Sequence, residues 1–284
     1  MLTLGLIGYS EENGHPYSFS AIMNGFDVEL LETLTYKAIK EYLAPFNGQA
    51  PKSFGMRVTE VWCPKFARAK DIARFAQIRR AVRKYQDFSK NLDAVLVLCD
   101  VSKIRSEIIN YFLSQNMIVF VDKPLSLSTK ELGLWRDAIA DGQLFSWSMF
   151  RYAPFIKEAK DLIRLYGEPS EICCEMKGDW KKYSNHLVEP LGNILSKDGD
   201  EISGLIKIKS STEITFKQSL NIQQPFLYTF KWHDYLSYWE IENNLPSFLN
   251  GIAAIEKMVK KTMVPLPLKY YSLLVDVYEQ KKYE

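Results

Sequence analysis

Two short runs fix the kind of sheet this chain can build. Ala94-Val-Leu-Val-Leu-Cys99 and Met117-Ile-Val-Phe-Val121 are apolar at every position rather than at alternate ones, so a strand made from either must be covered on both faces. A doubly wound parallel sheet, with helices on each side, meets that condition. Between the two runs, Ser102–Gln115 carries Ile104, Ile108, Tyr111 and Phe112 in helical spacing, which supplies the crossover that parallel strands require. Further strands are expected at Leu2–Gly8, Arg57–Trp62 and Ala81–Arg83, with amphipathic stretches at Asp27–Tyr42 and Lys65–Ile78 between them.

After Pro124 the pattern changes. A helix is expected over Ser128–Asp141, a strand over Leu144–Met149, a helix over Pro154–Tyr166 and a strand over Glu171–Lys177. Ile202–Lys209, Glu213–Leu220 and Phe226–Trp232 then read as strands joined by turns too short for helical crossovers, so antiparallel pairing is expected. The helical stretches Pro246–Lys261 and Leu268–Lys281 close the chain on either side of the breaker Pro265-Leu266-Pro267. The expected fold class is α/β. Residues 1–124 are expected to form a Rossmann-type domain of the kind that binds dinucleotides, and residues 125–284 an α+β domain, with a largely antiparallel open sheet, for substrate binding and oligomerisation. Because the aromatic strands Phe226–Trp232 and Tyr235–Trp239 have no evident covering helices of their own, a homo-oligomer, dimer or tetramer, is expected through the second domain.

Composition narrows the function classes. With 36 basic and 34 acidic side chains the formal charge is only +2, and there is no basic stripe, so neither nucleic acid nor an anionic membrane is expected as a partner. Cys63, Cys99, Cys173 and Cys174 show no metal-type spacing and read as reduced core residues of a cytoplasmic protein. The opening MLTLGLIGYSEENGHPYS has no basic leader, and no stretch approaches the ~20 apolar residues of a membrane span.

The turn after the first strand runs from Gly5 through Gly8, Ser10, Asn13, Gly14 and His15 to Ser18. Glycine there allows a tight turn and a close backbone approach to a pyrophosphate. Gly8 and Gly14 are available, but Ser10 and Asn13 stand where the strict glycine fingerprint has glycine. At the end of the second strand, Val61-Trp62-Cys63-Pro64-Lys65-Phe66-Ala67-Arg68 offers no carboxylate for ribose hydroxyls. Lys65 and Arg68 could pair with a 2′-phosphate, which favours NADP over NAD; equally, they could be solvated charges opening a helix. Cys99, at the end of its strand, joins the candidate cofactor residues.

The strongest local signal is Val119-Phe120-Val121-Asp122-Lys123-Pro124, which puts a lysine at the C-terminal edge of the parallel sheet, where such sheets bind ligands. Further on come Arg151-Tyr152 and the segment Trp180-Lys181-Lys182-Tyr183-Ser184-Asn185-His186. Together these resemble the Gfo/Idh/MocA (glucose-fructose oxidoreductase / inositol dehydrogenase) family, with Asp122 for the usual glutamate of its Glu-Lys-Pro signature and His186 for the histidine of its Asp-x-x-x-His motif. The aspartate of that motif is missing, since Lys182 stands in its place. The resemblance implies an NAD(P)-dependent oxidoreductase that moves a hydride to or from a hydroxyl-bearing carbon of a sugar or nucleotide-activated sugar. Lys123 and His186 would be its catalytic residues, meeting at one substrate hydroxyl. Asp122, Lys123 and Pro124 would also touch the cofactor, and Arg151, Tyr152, Lys182 and Tyr183 the substrate, with Lys181, Lys182 and Arg151 suited to an anionic one. The opening is similar to a branch associated with bacterial surface-polysaccharide gene sets. The broken glycine pattern and missing aspartate leave an alternative, a non-catalytic nucleotide-binding or regulatory protein that retains the fold.

Overall fold

The computed structural model describes all residues except 9, 11–12, 198, 220–224 and 281–284, and leaves the side chain of Lys181 undescribed. The chain divides into two compact units. One comprises Met1–Leu125, Trp135–Ser146 and Ile252–Leu266; the other comprises Ser126–Leu134, Trp147–Gly251 and Pro267–Glu284. A change of unit thus falls beside Pro124, and the chain later returns to the first unit twice.

The first unit is built on strands β1 (Leu2–Ile7), β2 (Met56–Trp62), β3 (Arg80–Val82), β4 (Ala94–Val97), β5 (Ile118–Asp122) and β6 (Leu144–Trp147). They lie in the order β3-β2-β1-β4-β5-β6, a parallel sheet. β4 is buried at all four positions, as its unbroken apolar run demands. The crossover helix Lys103–Ser114 starts where the Ser102 hydroxyl accepts the Arg105 amide at 3.2 Å, an N-cap that satisfies one orphan donor. The sixth strand was expected to belong to the second domain, yet it extends the first sheet beside β5.

Two local expectations give way in this unit. The loop after β1 is shorter than its sequence suggests, because His15–Asn24 is already a helix, with Pro16 in its first turn where proline costs no hydrogen bond. The stretch Asp27–Tyr42 is two helices, Val28–Leu31 and Lys37–Leu43. Thr33 sits at the break with its hydroxyl on the Leu30 carbonyl at 2.7 Å, a side-chain bond that competes with the helical ladder.

The second unit holds a four-stranded sheet of β7 (Glu171–Met176), β8 (Ile214–Gln218), β9 (Phe226–Lys231) and β10 (Leu236–Glu240), in the order β10-β9-β7-β8. β9 is antiparallel to both β7 and β10, but β8 is parallel to β7. The parallel pair arises because Ile202–Lys209, expected as a strand, lies in the helix Glu201–Ser210. That helix is capped by Asp200, whose carboxylate accepts the Ile202 amide at 3.0 Å, and with Asn185–Ile194 it supplies the crossover. The cap, Asp-Glu before an apolar run, was the signal in the sequence that overrides a β-branched composition.

The aromatic strands are covered on one face, contrary to expectation, although Tyr235, Leu236 and Tyr238 stay exposed. Phe226, Tyr228, Phe230 and Trp239 are all buried, and Phe155, at the start of the helix Phe155–Tyr166, packs its ring 4.7 Å from Tyr228 and 5.7 Å from Trp239. The opposite face carries Glu175, Lys217, Thr229 and Lys231, with Glu175 and Lys217 directly opposed. No helix among the described residues is long and apolar enough to cross a membrane.

Candidate functional site

In the first unit the C-terminal ends of β1, β4 and β5 bring together most of the residues expected to meet a dinucleotide. β1 pairs β2 on one side and β4 on the other, so the crevice lies at the switch point where ligands of such sheets bind. Gly8 and Gly14 are glycine for packing reasons of their own. A Cβ on Gly8 would stand 2.9 Å from the Pro16 ring and 3.2 Å from the Cys63 sulfur, and one on Gly14 would stand 2.7 Å from Ile39 and 2.9 Å from Tyr36.

The positions that break the glycine fingerprint tie the loops together. The Ser10 hydroxyl accepts the Asp100 amide at 2.9 Å. Asn13 donates from Nδ2 to Asp122 at 3.1 Å and accepts the His15 amide on Oδ1 at 2.9 Å. The first helical amide therefore has a side-chain partner, and the next residue, Pro16, has no N–H. The Tyr17 and Ser18 amides turn back to the Gly14 carbonyl. This turn is held by side chains where the fingerprint holds it by backbone alone.

Asp122 is the hub of that arrangement. Its carboxylate is buried, lies 2.6 Å from His15 Nδ1, and also accepts the Lys123 amide at 2.9 Å. Burial by itself would raise the carboxyl, but the attraction of His15, its hydrogen bond, the charge of Lys123 and the Asn13 amide outweigh burial and hold it well below the usual carboxylate range. Lys123 is half-buried and is joined to Pro124 by a cis peptide.

A residue that sequence reasoning missed holds this segment. Arg105 is 1% exposed and donates to four carbonyls, those of Cys99 (3.3 Å), Asp122 (3.1 Å), Pro124 (2.8 Å) and Leu125 (2.8 Å). Its signal was an arginine one residue from the apolar stripe of a crossover helix. Cys99 is buried, and burial pushes its thiol up to about 12, as it does that of Cys63, so neither is a nucleophile at neutral pH.

Lys65 is exposed at the start of the helix Phe66–Phe75. Arg68 on that helix donates to the Asn13 carbonyl at 3.2 Å and to the Tyr36 hydroxyl at 3.1 Å. Its buried Nε has no hydrogen-bond partner among the described residues. A cavity of about 460 Å³ adjoins it, lined among others by Tyr17, Tyr36, Asp71, Arg74 and Phe75. A cation at the loop with donor capacity to spare fits an anionic cofactor.

The second unit gathers the other candidates. Asp179 caps the short helix Trp180–Tyr183 and accepts the Lys182 amide at 3.0 Å. His186 lies in the following helix, Asn185–Ile194. Tyr183, at the end of the short helix before it, stands with its ring 6.2 Å from His186. His186 Nδ1 is 2.7 Å from the Ser148 hydroxyl, its carbonyl accepts the Tyr228 hydroxyl, and Phe150 and Phe226 enclose its ring at 4.7 and 5.2 Å. Lys182 lies half-buried over the Tyr183 ring, and Lys181's side chain lies outside the described residues.

Arg151 is placed otherwise than expected. It is 3% exposed, donates to the Tyr270 hydroxyl at 2.6 Å and to Glu201 at 2.6 Å, and is committed to the core instead of to a ligand. Tyr152 is half-buried beside it. Glu189, one turn after His186, is 1% exposed and accepts the Ser148 amide at 3.0 Å. Burial pushes its carboxyl up to about 7, against the opposing pull of Arg151 and that amide.

Residues 35–140, most of the first unit, match the model of an oxidoreductase family with an NAD-binding Rossmann fold, Gfo/Idh/MocA. That segment is similar to this family. The match takes in Asp122-Lys123-Pro124, one of the two segments from which the same family was expected. No curated protein matches the sequence. Among solved structures, a myo-inositol dehydrogenase from Corynebacterium glutamicum is similar over 98% of this chain and 95% of its own, at 8% identity and a TM-score of 0.63. GenD2 from gentamicin A biosynthesis, in complex with NAD, is similar over 99% and 93%, at 11% identity and 0.64. A 3-ketoreductase from Actinomadura kijaniata, in complex with TDP-benzene and NADP, is similar over 98% and 95%, at 12% identity and 0.58. At such identities the likeness is one of fold.

Proposed function

We propose that the protein is a cytoplasmic NAD(P)-dependent oxidoreductase acting on a hydroxyl-bearing carbon of a sugar or nucleotide-activated sugar, in surface-polysaccharide metabolism. The observation that carries the reading is Lys123, held at the C-terminal edge of β5 between the buried Asp122 carboxylate and the carbonyls that Arg105 fixes. The loop from Gly8 through Ser10, Asn13 and Gly14 to His15, together with Cys99, Asp122, Lys123 and Pro124, would hold the dinucleotide. Its nicotinamide supplies or accepts the hydride. Arg68, with Lys65 at the helix start, gives a lean to NADP, since a guanidinium with spare donors suits a 2′-phosphate.

Loss of a hydride from a carbinol carbon must be matched by loss of the hydroxyl proton. On oxidation Lys123, as the neutral amine, would take that proton, and the ammonium so formed, still hydrogen-bonded to the oxygen, would stabilise the developing alkoxide; on reduction the ammonium would give the proton back. His186 would orient the same oxygen, with Tyr183 and Lys182 beside it. Solved structures of this fold include an inositol dehydrogenase and a ketoreductase bound to a TDP compound, which supports sugar-like substrates. We further propose a homo-oligomer formed through the second unit, where Leu236 and Tyr238 on β10 are exposed.

The test begins with calorimetry against NAD, NADH, NADP and NADPH. Binding of at least one is expected, and a ligand at 100 times its Kd would add about 2.7 kcal/mol of stability. With a substrate in hand, Lys123→Ala should lower kcat by about 10²–10³ while leaving cofactor affinity nearly unchanged, because the lost donor acts mainly in the transition state. No binding of any form at millimolar concentration would remove the enzyme reading and leave the non-catalytic alternative.

A further inference from the structure

Where the family motif resembled by this segment has an aspartate before its histidine, this chain has Lys182, whose backbone amide turns to Asp179. The partner that His186 has instead comes from elsewhere in the unit. Ser148 follows β6, and its hydroxyl oxygen lies 2.7 Å from His186 Nδ1. The same oxygen accepts the Phe150 amide at 3.2 Å. Ser148 is itself fixed by its backbone, since its amide donates to the buried Glu189 carboxyl at 3.0 Å. All three residues are buried, with Ser148 at 0% and Glu189 at 1% exposure.

The hydrogen bonds at Ser148 Oγ bear on which ring nitrogen of His186 carries the proton. A hydroxyl has one hydrogen to give and two lone pairs. Among the described residues two groups bond Ser148 Oγ, and since the Phe150 amide can only donate, the acceptor they offer the hydroxyl hydrogen is His186 Nδ1. A buried hydroxyl left without an acceptor would cost about 1–3 kcal/mol. If Nδ1 carried the proton instead, Ser148 Oγ would receive two donors and its own hydrogen would have no acceptor among the described residues.

We propose that Ser148 is a positioning residue that fixes His186 as the neutral tautomer with hydrogen on Nε2. The inference rests on the proposed role of His186 and makes it narrower: through Nε2 the histidine donates a hydrogen bond to the substrate's reacting oxygen. The proton lost from that oxygen on oxidation, or gained on reduction, is then exchanged at Lys123, and His186 neither gains nor loses one. Glu189 supports the arrangement from behind by holding the Ser148 backbone, one turn along the helix from the histidine it serves.

The deciding measurement needs no substrate. Nitrogen-15 NMR of the histidine-labelled protein at pH 7.5, with His186 assigned by its loss in His186→Gln, should show Nδ1 as an unprotonated, pyridine-type nitrogen and Nε2 as a pyrrole-type one. Ser148→Ala should abolish that single pattern, and Ser148→Thr, which keeps a hydroxyl, should restore it. With a substrate identified, Ser148→Ala should lower kcat about 10- to 100-fold, the range seen when outer partners that orient metal-bound histidines are removed, with KM changed less than threefold and Ser148→Thr recovering most of the loss. Protonation of Nδ1 in the wild-type spectrum would overturn the proposal whether or not either variant folds. An Nε2-protonated histidine in a protein that binds no nicotinamide would leave this assignment standing and remove the enzymatic one, so the two failures are distinct.

Discussion

Each unit buries one arginine and one carboxylate near its candidate site, and the two units treat the pair in opposite ways. In the first, Arg105 spends its donors on four neutral carbonyls, and the Asp122 carboxylate is left to His15, Asn13 and the Lys123 amide. In the second, Arg151 is shared among anions: it bonds Glu201 directly, and through the Tyr270 hydroxyl it reaches Glu189. Asp122 is thereby driven down from the usual carboxylate value and Glu189 up. Burial is nearly equal, at 4% and 1% exposure. What differs is the count of charges, because two carboxylates share one guanidinium in the second unit and one of them does better with a proton.

The largest expected effect comes from removing the shared cation. Arg151→Met would leave Glu201 and Glu189 in the core without their counter-ion, and breaking a buried pair on one side costs about 3–5 kcal/mol. Urea unfolding at pH 7 should register that loss. Had Arg151 been a substrate ligand at the surface, the variant would unfold like the wild type, and the contrast drawn between the units would collapse.

A smaller effect, with a definite sign, belongs to Glu189. Its folded value near 7 exceeds the ordinary 4.5, so the folded state holds the proton more tightly than the unfolded chain. Its contribution is fully present below about pH 4.5 and is lost as pH rises through 7, about 3 kcal/mol in all. Glu189→Gln, which resembles the protonated form, should flatten the fall in stability between pH 5 and 8 and should be the more stable protein at pH 8. Parallel slopes for the two proteins would mean that Glu189 is ionised throughout.

How far these arrangements were legible in the sequence follows from their range. The parallel sheet could be read because AVLVLC and MIVFV declare their burial locally, and Lys123 because it ends one of those runs. Ile202–Lys209 misled because its composition favours a strand, whereas the Asp200 cap and the path between β7 and β8 make it a helix. Arg151 was read as a ligand residue since its partners Glu201 and Tyr270 are 50 and 119 residues away. Ser148 and Arg105 were passed over for a similar reason: a serine after a strand and an arginine on a helix acquire their roles from groups 38 and 17 residues distant. Local periodicity carries the scaffold, while the polar core is set by tertiary contacts that no window of sequence contains.

The smallest effect is expected at Asp122, and it runs opposite to that of Glu189. A carboxyl whose folded value is lowered stabilises the protein above its unfolded value of 3.8, and the contribution is lost as pH falls below about 4. Asp122→Asn keeps the size and one acceptor oxygen for the Lys123 amide but removes the charge facing His15. It should cost about 1–3 kcal/mol at pH 7, the cost of leaving a buried hydrogen-bonding group without its partner. The gap between the wild type and the variant should begin to narrow near pH 4 and close only as pH falls through the lowered folded value. The two carboxylates therefore predict a double signature in thermal melts: Asp122→Asn narrows its gap to wild type toward acid, and Glu189→Gln opens one toward alkali. If Asp122→Asn instead kept a constant deficit from pH 3 to 8, the His15 contact would be one of shape and not of charge, and Asp122 would resemble a neutral core residue more than the anion that orders the turn beside Lys123.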